Sequence, residues 1–560
     1  MIYLSDMSRC RPDSALAEKL EKGRWMLIPY ETDEVSGTMI VAESFINAPD
    51  VTLPLEVSGW HAIYVGCWNP HYAYDNGAIV KVKLSDDPAS YRISLRERHT
   101  GGLPPCVLQE VFFKNAELAG QDIIIGKMNG PMAQKACVAY IRLVPLSSEQ
   151  VAVIQKDRAR TDTRKLVATQ DGLASFLGVE SRTKEDILEL VELYRYSDVG
   201  KVLWAVCYGE VVNYPSVTGV SLTDALSRVR LVEGSGTNPG VSDYKAICKS
   251  MEELFSKGII PQQVLAEHVH DMGLKFDIMF RISIAGGLPP HRNENSFVVR
   301  HPEFRQVMRD GTPVEKASYA FPEVRALMLS IIREATQKFD VDGINLCFVR
   351  GPHFTEYEKP VLEDFQRKYG EDAREVETND PRLLEVRATY MTDFIREARR
   401  ILDDIGQQKG RRLELSIWAW PGRQNVWLGK TPIEEGLDIK GWIIEGLLDS
   451  FFCQEGVDPE DLELCKKHNC RFILFPGYRD PTPTTPKTVA EGYQKGADEI
   501  AIWDIDGEVP ENWEWNRRIG HREEMEFWDK HISECRSIQV KKLAGLDAYK
   551  GLEAAVYSGG

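Results

Sequence analysis

The sequence lacks long apolar segments and an apolar leader. No window of its 560 residues approaches the run of about 18 uncharged apolar residues that a transmembrane helix needs. The first residues, MIYLSDMSRCRPDS, have no basic region followed by an apolar core, so they do not read as a signal peptide. We therefore expect no membrane partner. The protein is expected to be cytoplasmic, or secreted or periplasmic if a targeting segment has been removed.

Paired cysteines and metal motifs are also missing. The eleven cysteines are scattered without a CxxC pair, and several lie inside apolar runs, which indicates buried, reduced thiols. Cys465, His468 and Cys470 have the side chains of zinc ligands, but a fourth ligand, which structural zinc sites require, is not evident. No glycine-rich phosphate loop follows an early strand. The sequence thus predicts no metal and no cofactor.

Positive charge is in deficit. The chain has 68 Lys and Arg residues against 85 Asp and Glu residues, which gives a net charge of −17. Nucleic acids and anionic membranes bind proteins through a basic face. A nucleic-acid partner is therefore not expected. The chain is also too long for one ordinary hydrophobic core, so two or more domains are expected.

Residues 1–150 contain short apolar or alternating runs separated by Gly, Pro, Asn and Asp. The runs are TMIVAESF, VTLPLEV, HAIYVGCW, AIVKVKL, YRISLRE, VLQEVFF, DIIIGKM and CVAYIRLV. Eight or so strands at regular spacing predict a β-sandwich of the jelly-roll type. One segment is rich in aromatic rings, namely Trp60, His61, Tyr64, Trp68, His71 and Tyr72. These rings form either a sugar-stacking surface or, as favoured here, core and interdomain packing.

From Lys165 onward, strand and helix patterns alternate. Apolar runs predict eight strands, at residues 166–171, 201–210, 276–283, 343–350, 413–420, 448–454, 471–478 and 499–506. Eight β/α units predict an α/β fold, a (β/α)8 TIM barrel at residues 165–530, with a doubly wound open sheet as the alternative. Residues 531–560 read as a C-terminal β tail that packs on the rest of the chain.

In such a barrel the active site lies at the C-terminal ends of the strands. Four carboxylates at or near strand ends are catalytic candidates: Glu210, Asp504, Asp171 and Asp506. Six further residues are substrate-binding candidates: Arg281, Arg350, His353, Tyr208, Trp418 and Trp503. Aromatic faces stack on sugar rings. Two carboxylates on opposite sides of a glycosidic bond act as acid and as nucleophile or base.

Each candidate has a structural alternative. Glu210 can cap or pair at a strand end, and Asp171 can be a turn residue before Gly172. Asp504 and Asp506 alternate along a predicted strand, so both face one side, where either can pair with an arginine. The arginines can merely neutralise acids at the barrel end, and the tryptophans can pack in the core.

The segment FPEVRALMLSIIREATQKFDVDGINLCFVRGP resembles a known family. It is similar to the PEVR…YDVDGIHLDYVRYP unit of glycosyl-hydrolase-like proteins with a family-10-like barrel, a large bacterial group. Residues 447–454, 496–504 and 519–524 fit later parts of the same barrel, so the resemblance covers about residues 165–530. It implies a barrel with carbohydrate-active chemistry. Cys347 stands where the family usually has an aspartate, and Asn345 where it has His, so the family's mechanism cannot be copied over.

These observations favour a glycoside hydrolase that cleaves a bond in an oligosaccharide or polysaccharide. In this interpretation Glu210 is the general acid and Asp504 is the nucleophile or base. Asp171 and Asp506 are the substitutes for these roles.

Two other functions remain open. Cys347 in place of the family's aspartate suggests a non-catalytic carbohydrate-binding barrel. His353, Asp171 and His291, with a strand-end acid, suggest a metal-assisted lyase, isomerase or deacetylase. A homo-oligomer formed through the N-terminal domain is compatible with each of these functions.

Overall fold

The computed structural model describes most of the first 543 residues. The described part excludes residues 44–45, 69–77, 96–106, 129–134, 173–175, 177–180, 228–240, 287–295, 350–351, 423–428, 455, 478–483, 505–509, 532–535 and 544–560. Among the described helices, none combines the length and the apolar character needed to cross a membrane.

The N-terminal domain is made of β-strands. In chain order these are β1 (Ile2–Leu4), β2 (Leu16–Ala17), β3 (Trp25–Thr32), β4 (Ser36–Ala42), β5 (Val51–Leu53), β6 (Trp60–Trp68), β7 (Ala78–Leu84), β8 (Tyr91–Leu95), β9 (Val107–Glu117), β10 (Ile123–Lys127) and β11 (Ala136–Pro145). Every run predicted from apolar alternation overlaps one of these strands. The sequence analysis missed β3, because Pro29 within it is a residue that argues against a strand.

The second domain is a closed parallel barrel. Its eight strands are β12 (Leu166–Gln170), β13 (Val199–Tyr208), β16 (Lys275–Arg281), β19 (Gly343–Cys347), β20 (Glu414–Ala419), β21 (Ser450–Gln454), β22 (Arg471–Phe475) and β23 (Glu499–Trp503). Short strands in its loops are β14 (Val211–Val212), β15 (Val220–Ser221), β17 (Arg305–Val307) and β18 (Pro313–Ala317). Because β12 pairs in parallel with both β13 and β23, the sheet has no open edge. The predicted (β/α)8 barrel preceded by an N-terminal β domain is confirmed, and the open-sheet alternative is wrong.

Helices connect the strands and cover the outside of the barrel. They are α1 (Ser148–Arg158), α2 (Lys184–Leu188), α3 (Leu222–Ser227), α4 (Val241–Ser256), α5 (Pro261–Asp271), α6 (Phe297–Arg300), α7 (Pro322–Lys338), α8 (Lys359–Tyr369), α9 (Pro381–Lys409), α10 (Ile439–Ile444), α11 (Pro459–Lys467), α12 (Pro486–Lys495), α13 (Pro510–Asn516) and α14 (Met525–Lys530). The helix α7 begins at Pro322, where the first turn tolerates proline, and its apolar residues at helical spacing, among them Val324, Met328 and Ile331, are fully buried.

A strand from the far end of the chain completes the N-terminal domain. The strand β24 (Arg536–Leu543) pairs antiparallel with both β3 and β9. Since β11 also pairs with both β4 and β6, the strands β11, β4, β3, β24, β9 and β6 form a closed ring. Met39 and Ile538 belong to the apolar cluster on one face of this ring. Ile40 belongs to the cluster that the other face shares with the smaller sheet, β5-β10-β7-β8.

Buried ion pairs hold the two domains together. Glu189, whose side chain is 1% exposed, lies 2.6 Å from Lys81 of β7 and 3.2 Å from Arg92 of β8. His521 joins α1 to the start of β13, because its two ring nitrogens lie 2.8 Å from the Asp157 carboxylate and 2.7 Å from that of Asp198. Isolated buried charges are costly, so each pair fixes the relative placement of the elements that carry it.

The N-terminal ends of the barrel strands carry a buried cluster of charges. Lys201 of β13 lies 2.5 Å from Asp277 and 2.8 Å from Glu414. Glu414 also accepts hydrogen bonds from Lys275 and Arg471. Burial raises the pKa of Asp277 to about 6, although Lys201 opposes this shift. The pKa of Glu414 lies far below its ordinary value: burial would raise it, but Lys201 and Arg471 outweigh that effect. This cluster closes the end of the barrel opposite to the site described below.

Removing Lys201 should destabilise the barrel strongly. In Lys201→Met the fully buried Asp277 loses its cation, and breaking a buried pair in this way costs about 3–5 kcal/mol. Lys275→Met is the matched control, because Lys275 binds the same Glu414 from a position where its side chain is 48% exposed; it should cost less than about 1 kcal/mol. Urea unfolding followed by tryptophan fluorescence measures both. Equal effects of the two variants would contradict the assigned role of the cluster.

Candidate active site

Three predicted residues meet at the C-terminal end of the barrel. The Tyr208 hydroxyl lies 2.6 Å from the main-chain oxygen of Asp171 and also contacts the Asp171 carboxylate. The guanidinium of Arg281 lies 3.2 Å from the same carboxylate. Arg281 ends β16 two residues after Met279, which faces the barrel interior, and Tyr208 ends β13 beyond a bulge between Ala205 and Cys207. Asp171 follows β12. The sequence placed each of these residues at a strand end, and the structure brings them into contact.

The charges of this group stabilise one another. Burial raises the pKa of Tyr208 well above its ordinary value, and the neighbouring Asp171 carboxylate raises it further, so the hydroxyl stays a donor. Burial alone would lower the pKa of Arg281, but Asp171 outweighs that effect, and the guanidinium stays charged. Within the described part of the chain, Nε of Arg281 has no hydrogen-bond partner.

Asp504 is the second carboxylate at this position. Its Oδ1 accepts a 2.9 Å hydrogen bond from the amide of Asp171, and its own amide donates to the main-chain oxygen of Thr169. Its φ of 48° lies in the left-handed region, so β23 has ended and Asp504 is not a strand residue. The predicted alternation of Asp504 and Asp506 along one strand is therefore wrong. Asp506 itself lies outside the described residues.

Aromatic rings complete the inner wall of the site. The guanidinium of Arg281 lies 4.9 Å from the ring centre of Tyr208 and 5.1 Å from that of Trp503. The rings of Trp503 and Trp418 meet edge to face at 5.3 Å. Trp418 is 1% exposed and also packs on Phe452, so it supports the site from below, whereas Trp503 is partly exposed. Stacking on a sugar thus remains a prediction for Trp503 and does not fit Trp418.

Glu210 lies outside the group formed by Asp171, Tyr208, Arg281 and Asp504. It is 3% exposed, and its Oε1 accepts a 2.7 Å hydrogen bond from the amide of Phe297, the first residue of α6. Burial raises the pKa of Glu210, and this backbone hydrogen bond only partly opposes the shift. The capping role that the sequence left open is therefore present in the structure. The predicted pairing of Glu210 with Asp504 stays a prediction.

A second polar group lies over the ends of β19 and β20. The Nδ1 atom of His353 contacts the carboxylate of Glu435, lies 3.5 Å from that of Glu356 and 3.3 Å from the amine of Lys430. Glu356 also pairs with the buried Arg387 at 3.1 Å. Burial would raise the pKa of Glu435, but the hydrogen bond with His353 and the charges of His353 and Lys430 lower it.

Sequence reasoning found His353 but missed Glu435 and Lys430. Both follow β20 in the segment KTPIEEG, which carries no apolar periodicity and no motif. Their role depends on a contact across 82 residues between Glu435 and His353, and no local pattern reports such a contact. The sequence offers one signal for Glu435 and Lys430: they are polar residues in the loop that follows a predicted strand.

The remaining predicted positions are Arg350, His291 and Cys347. Arg350 and His291 lie outside the described residues. Cys347 is fully buried and belongs, with Trp418, to the apolar cluster inside the barrel. Within the described part of the chain, no three His, Cys, Asp or Glu side chains converge in the way that metal ligands do. His353 and Asp171, predicted together as ligands, belong to separate groups.

No family model matches the sequence, and no curated protein matches it. The chain is similar to the alpha-L-fucosidase isoenzyme 2 from Paenibacillus thiaminolyticus, with a TM-score of 0.40 and 14% identity over 66% of this chain and 50% of that one. It is also similar to the PgaB (BpsB) glycoside hydrolase domain from Bordetella bronchiseptica, with a TM-score of 0.39 and 12% identity over 66% and 98%. For the GH36 alpha-galactosidase AgaA from Geobacillus stearothermophilus the TM-score is 0.33 and the identity 9%, over 91% and 62%.

These structural neighbours are named as glycoside hydrolases. The chain spans half of the fucosidase and less than two thirds of the galactosidase. At these TM-scores no residue role and no substrate passes from them to this chain. The family-10-like assignment made from the sequence stays a prediction.

Replacing Glu210 should stabilise the protein at neutral pH. A glutamate whose folded-state pKa is raised loses stability as the pH rises from its unfolded pKa, about 4.3, through the folded one. Glu210→Gln keeps an oxygen for the Phe297 amide and removes this cost. Its melting temperature should therefore exceed that of the wild type at pH 7 to 8, and the difference should shrink toward pH 4. Scanning calorimetry from pH 4 to pH 8 measures this difference in melting temperature. A difference that does not change with pH would contradict the claim that burial of the ionised Glu210 costs stability.

Proposed function

We propose that the protein is a glycoside hydrolase that acts on an oligosaccharide or polysaccharide at the C-terminal end of the barrel. The observation that supports this proposal is the convergence of two carboxylates, Asp171 and Asp504, with Arg281, Tyr208 and Trp503 at the position where (β/α)8 barrels carry their active sites. A carboxylate pair beside an aromatic ring has the parts that hydrolysis of a glycosidic bond requires.

The contacts suggest different roles for the two carboxylates. Asp171 lies 3.2 Å from the Arg281 guanidinium and accepts a hydrogen bond from the Tyr208 hydroxyl, so two donors hold its carboxylate in place, as a nucleophile or base must be held. We assign this role to Asp171, and the proton-donor role to Asp504 because it is the second described carboxylate of the group. This reverses the role predicted for Asp504 from the sequence.

The other residues have supporting roles in this proposal. Arg281 and Trp503 orient the substrate, the first by hydrogen bonds to hydroxyl or acidic groups and the second by stacking on a sugar ring. Glu210 is a positioning residue, because it holds the start of α6 in the segment that follows the third barrel strand.

Asparagine substitutions test the two carboxylates. Asp171→Asn and Asp504→Asn should each lower kcat by about 10²–10⁴-fold, because each group acts on a proton or on the anomeric carbon in the transition state. The measurement is turnover of a panel of aryl glycosides and oligosaccharides. Asp162→Asn, which removes an exposed carboxylate far from the barrel mouth, is the matched control and should keep full activity.

Glu210→Gln separates this proposal from the assignment made on the sequence. A positioning residue should leave kcat within about tenfold of the wild type, whereas loss of a general acid costs about 10²–10⁴-fold. If Glu210→Gln is folded and inactive while Asp171→Asn keeps its activity, the roles proposed here are wrong. In that case Glu210 is the acid.

A carbohydrate-binding barrel without catalysis is the second candidate. Cys347 favours it, because this residue is fully buried in apolar surroundings where the resembling family carries an aspartate. Calorimetric titration of the same oligosaccharides with the wild type distinguishes the two functions. Saturable binding of an oligosaccharide that is never cleaved, weakened in Trp503→Ala, would replace the hydrolase proposal.

A further inference from the structure

A cavity of about 380 Å³ lies where the N-terminal domain, α1 and the outside of the barrel meet. Its walls come from β6, β8 and β9, from α1, from residues 193–197 before β13, from residues 513–518 and from β24. It is separate from the barrel mouth, because residues 193–197 precede β13, at whose opposite end Tyr208 lies. Cavities of this size hold a small molecule.

The cavity is cationic although the protein is strongly anionic. Six of its lining side chains carry positive charge and three carry negative charge. Most of the cations are already paired: Arg518 lies 2.6 Å from Asp157, and Arg195 lies 2.5 Å from Glu192. Lys114 lies 2.5 Å from Asp87, and Arg536 lies 3.5 Å from Glu110 and also contacts Glu34.

Two arginines of the cavity lack such a partner. Within the described residues, neither Arg158 nor Arg517 has a carboxylate in ion-pair contact, although Asp157 and Glu514 lie in the same wall. Arg158 donates one 2.8 Å hydrogen bond to the main-chain oxygen of Asn115, and Arg517 lies over the ring of Phe112 at 5.1 Å. Burial lowers the pKa of both guanidinium groups. Charges held in this way are costly for the folded protein unless an anion neutralises them.

Aromatic rings also line the wall. Tyr64 packs edge to face on Phe112 at 5.5 Å, and Tyr91 packs on Phe113 at 5.7 Å. At the rim, Tyr196 is 55% exposed and lies 3.8 Å below the guanidinium of Arg158. Its φ of 61° places a bulky residue in the left-handed region, which costs about 1–2 kcal/mol. Strain of this kind persists where the surroundings require a particular side-chain position.

We propose that this cavity is a binding site for a small anionic ligand that carries a ring, such as a sugar phosphate or a uronic acid. The oxyanion pairs with Arg158 and Arg517, and the ring lies against the aromatic wall. Since both domains and β24 line the cavity, the bound ligand also fastens the domains to each other. The site is independent of the proposed hydrolase activity.

Calorimetric titration of the full chain tests the proposal with four probes: glucose 6-phosphate, glucuronate, inorganic phosphate and glucose. At least one charged sugar should bind, glucose should not, and inorganic phosphate should bind about tenfold more weakly than glucose 6-phosphate. Absence of binding by every anion at about 10 mM would overturn the site. Equal affinities of phosphate and glucose 6-phosphate would overturn the role of the ring.

Two variants locate the binding. Arg517→Gln and Arg158→Gln should each weaken the affinity for the charged sugar by about tenfold or more. Arg160→Gln removes a neighbouring positive charge that pairs with Asp162 and does not line the cavity, so it should leave the affinity unchanged. Asp171→Asn at the barrel mouth should also leave it unchanged. Binding that survives both cavity variants, or that Asp171→Asn abolishes, would overturn the proposal.

A stability measurement guards against misfolding of the variants. Without ligand, Arg517→Gln should melt at the same temperature as the wild type or higher, because the variant removes a partly desolvated cation that has no carboxylate in ion-pair contact within the described residues. With the charged sugar, the wild type should gain more thermal stability than Arg517→Gln does. A variant that is less stable without ligand would show that Arg517 has a structural role instead.

Discussion

The structure depends on the pairing of one short strand with two neighbours. All five residues of β12 are buried, and the strand hydrogen-bonds to β13 on one side and to β23 on the other. The same ladder positions the proposed active site. Thr169 donates to the main-chain oxygen of Ile502 and accepts from the amide of Asp504, so Asp171 and Asp504 emerge side by side where the barrel closes. A shift of one residue in this register would turn these side chains to the opposite face.

The two ends of the barrel use charge in opposite ways. At one end Lys201, Asp277 and Glu414 are paired within a compact cluster, which closes the barrel. At the other end the described structure leaves Nε of Arg281 without a partner and buries Glu210 against a backbone amide. Unsatisfied and desolvated polar groups lower stability, and they are kept where binding or chemistry needs them. Asp277 at the closed end is desolvated as well, but Lys201 neutralises it, whereas Glu210 accepts from a backbone amide.

The sequence was sufficient for the barrel because its strands differ sharply from their surroundings. Each of the eight apolar runs overlaps a strand, since a parallel strand buried on both faces reads as a continuous apolar segment. The predicted ends were less accurate. The predicted strand 499–506 extends past the end of β23, because an isoleucine follows Asp504 in the sequence. The backbone turns at Asp504.

Site residues were predictable only where a strand end places them. Asp171, Tyr208, Arg281 and Trp503 follow from the positions of β12, β13, β16 and β23 in the chain. Their mutual contacts depend on the order and closure of the strands, which the alternation of apolar runs does not specify. Residues in loops are not placed by the end of a strand, and contacts between two loops cannot be predicted in this way. The partners of His353 were therefore found only in the structure.

The position of β24 at the end of the chain determines when the N-terminal domain can finish folding during synthesis. The ring of the N-terminal domain contains β24, which is synthesised more than 350 residues after β11, the strand of the ring that comes before it in the chain. Until then β3 and β9 face each other with open edges, and open edges invite pairing with other chains. The barrel can therefore complete its own sheet first. The N-terminal domain is synthesised before the barrel, but its ring closes only after β24 has been made. A fragment limited to the first 150 residues would keep this gap, so the two domains are better regarded as a single folding unit.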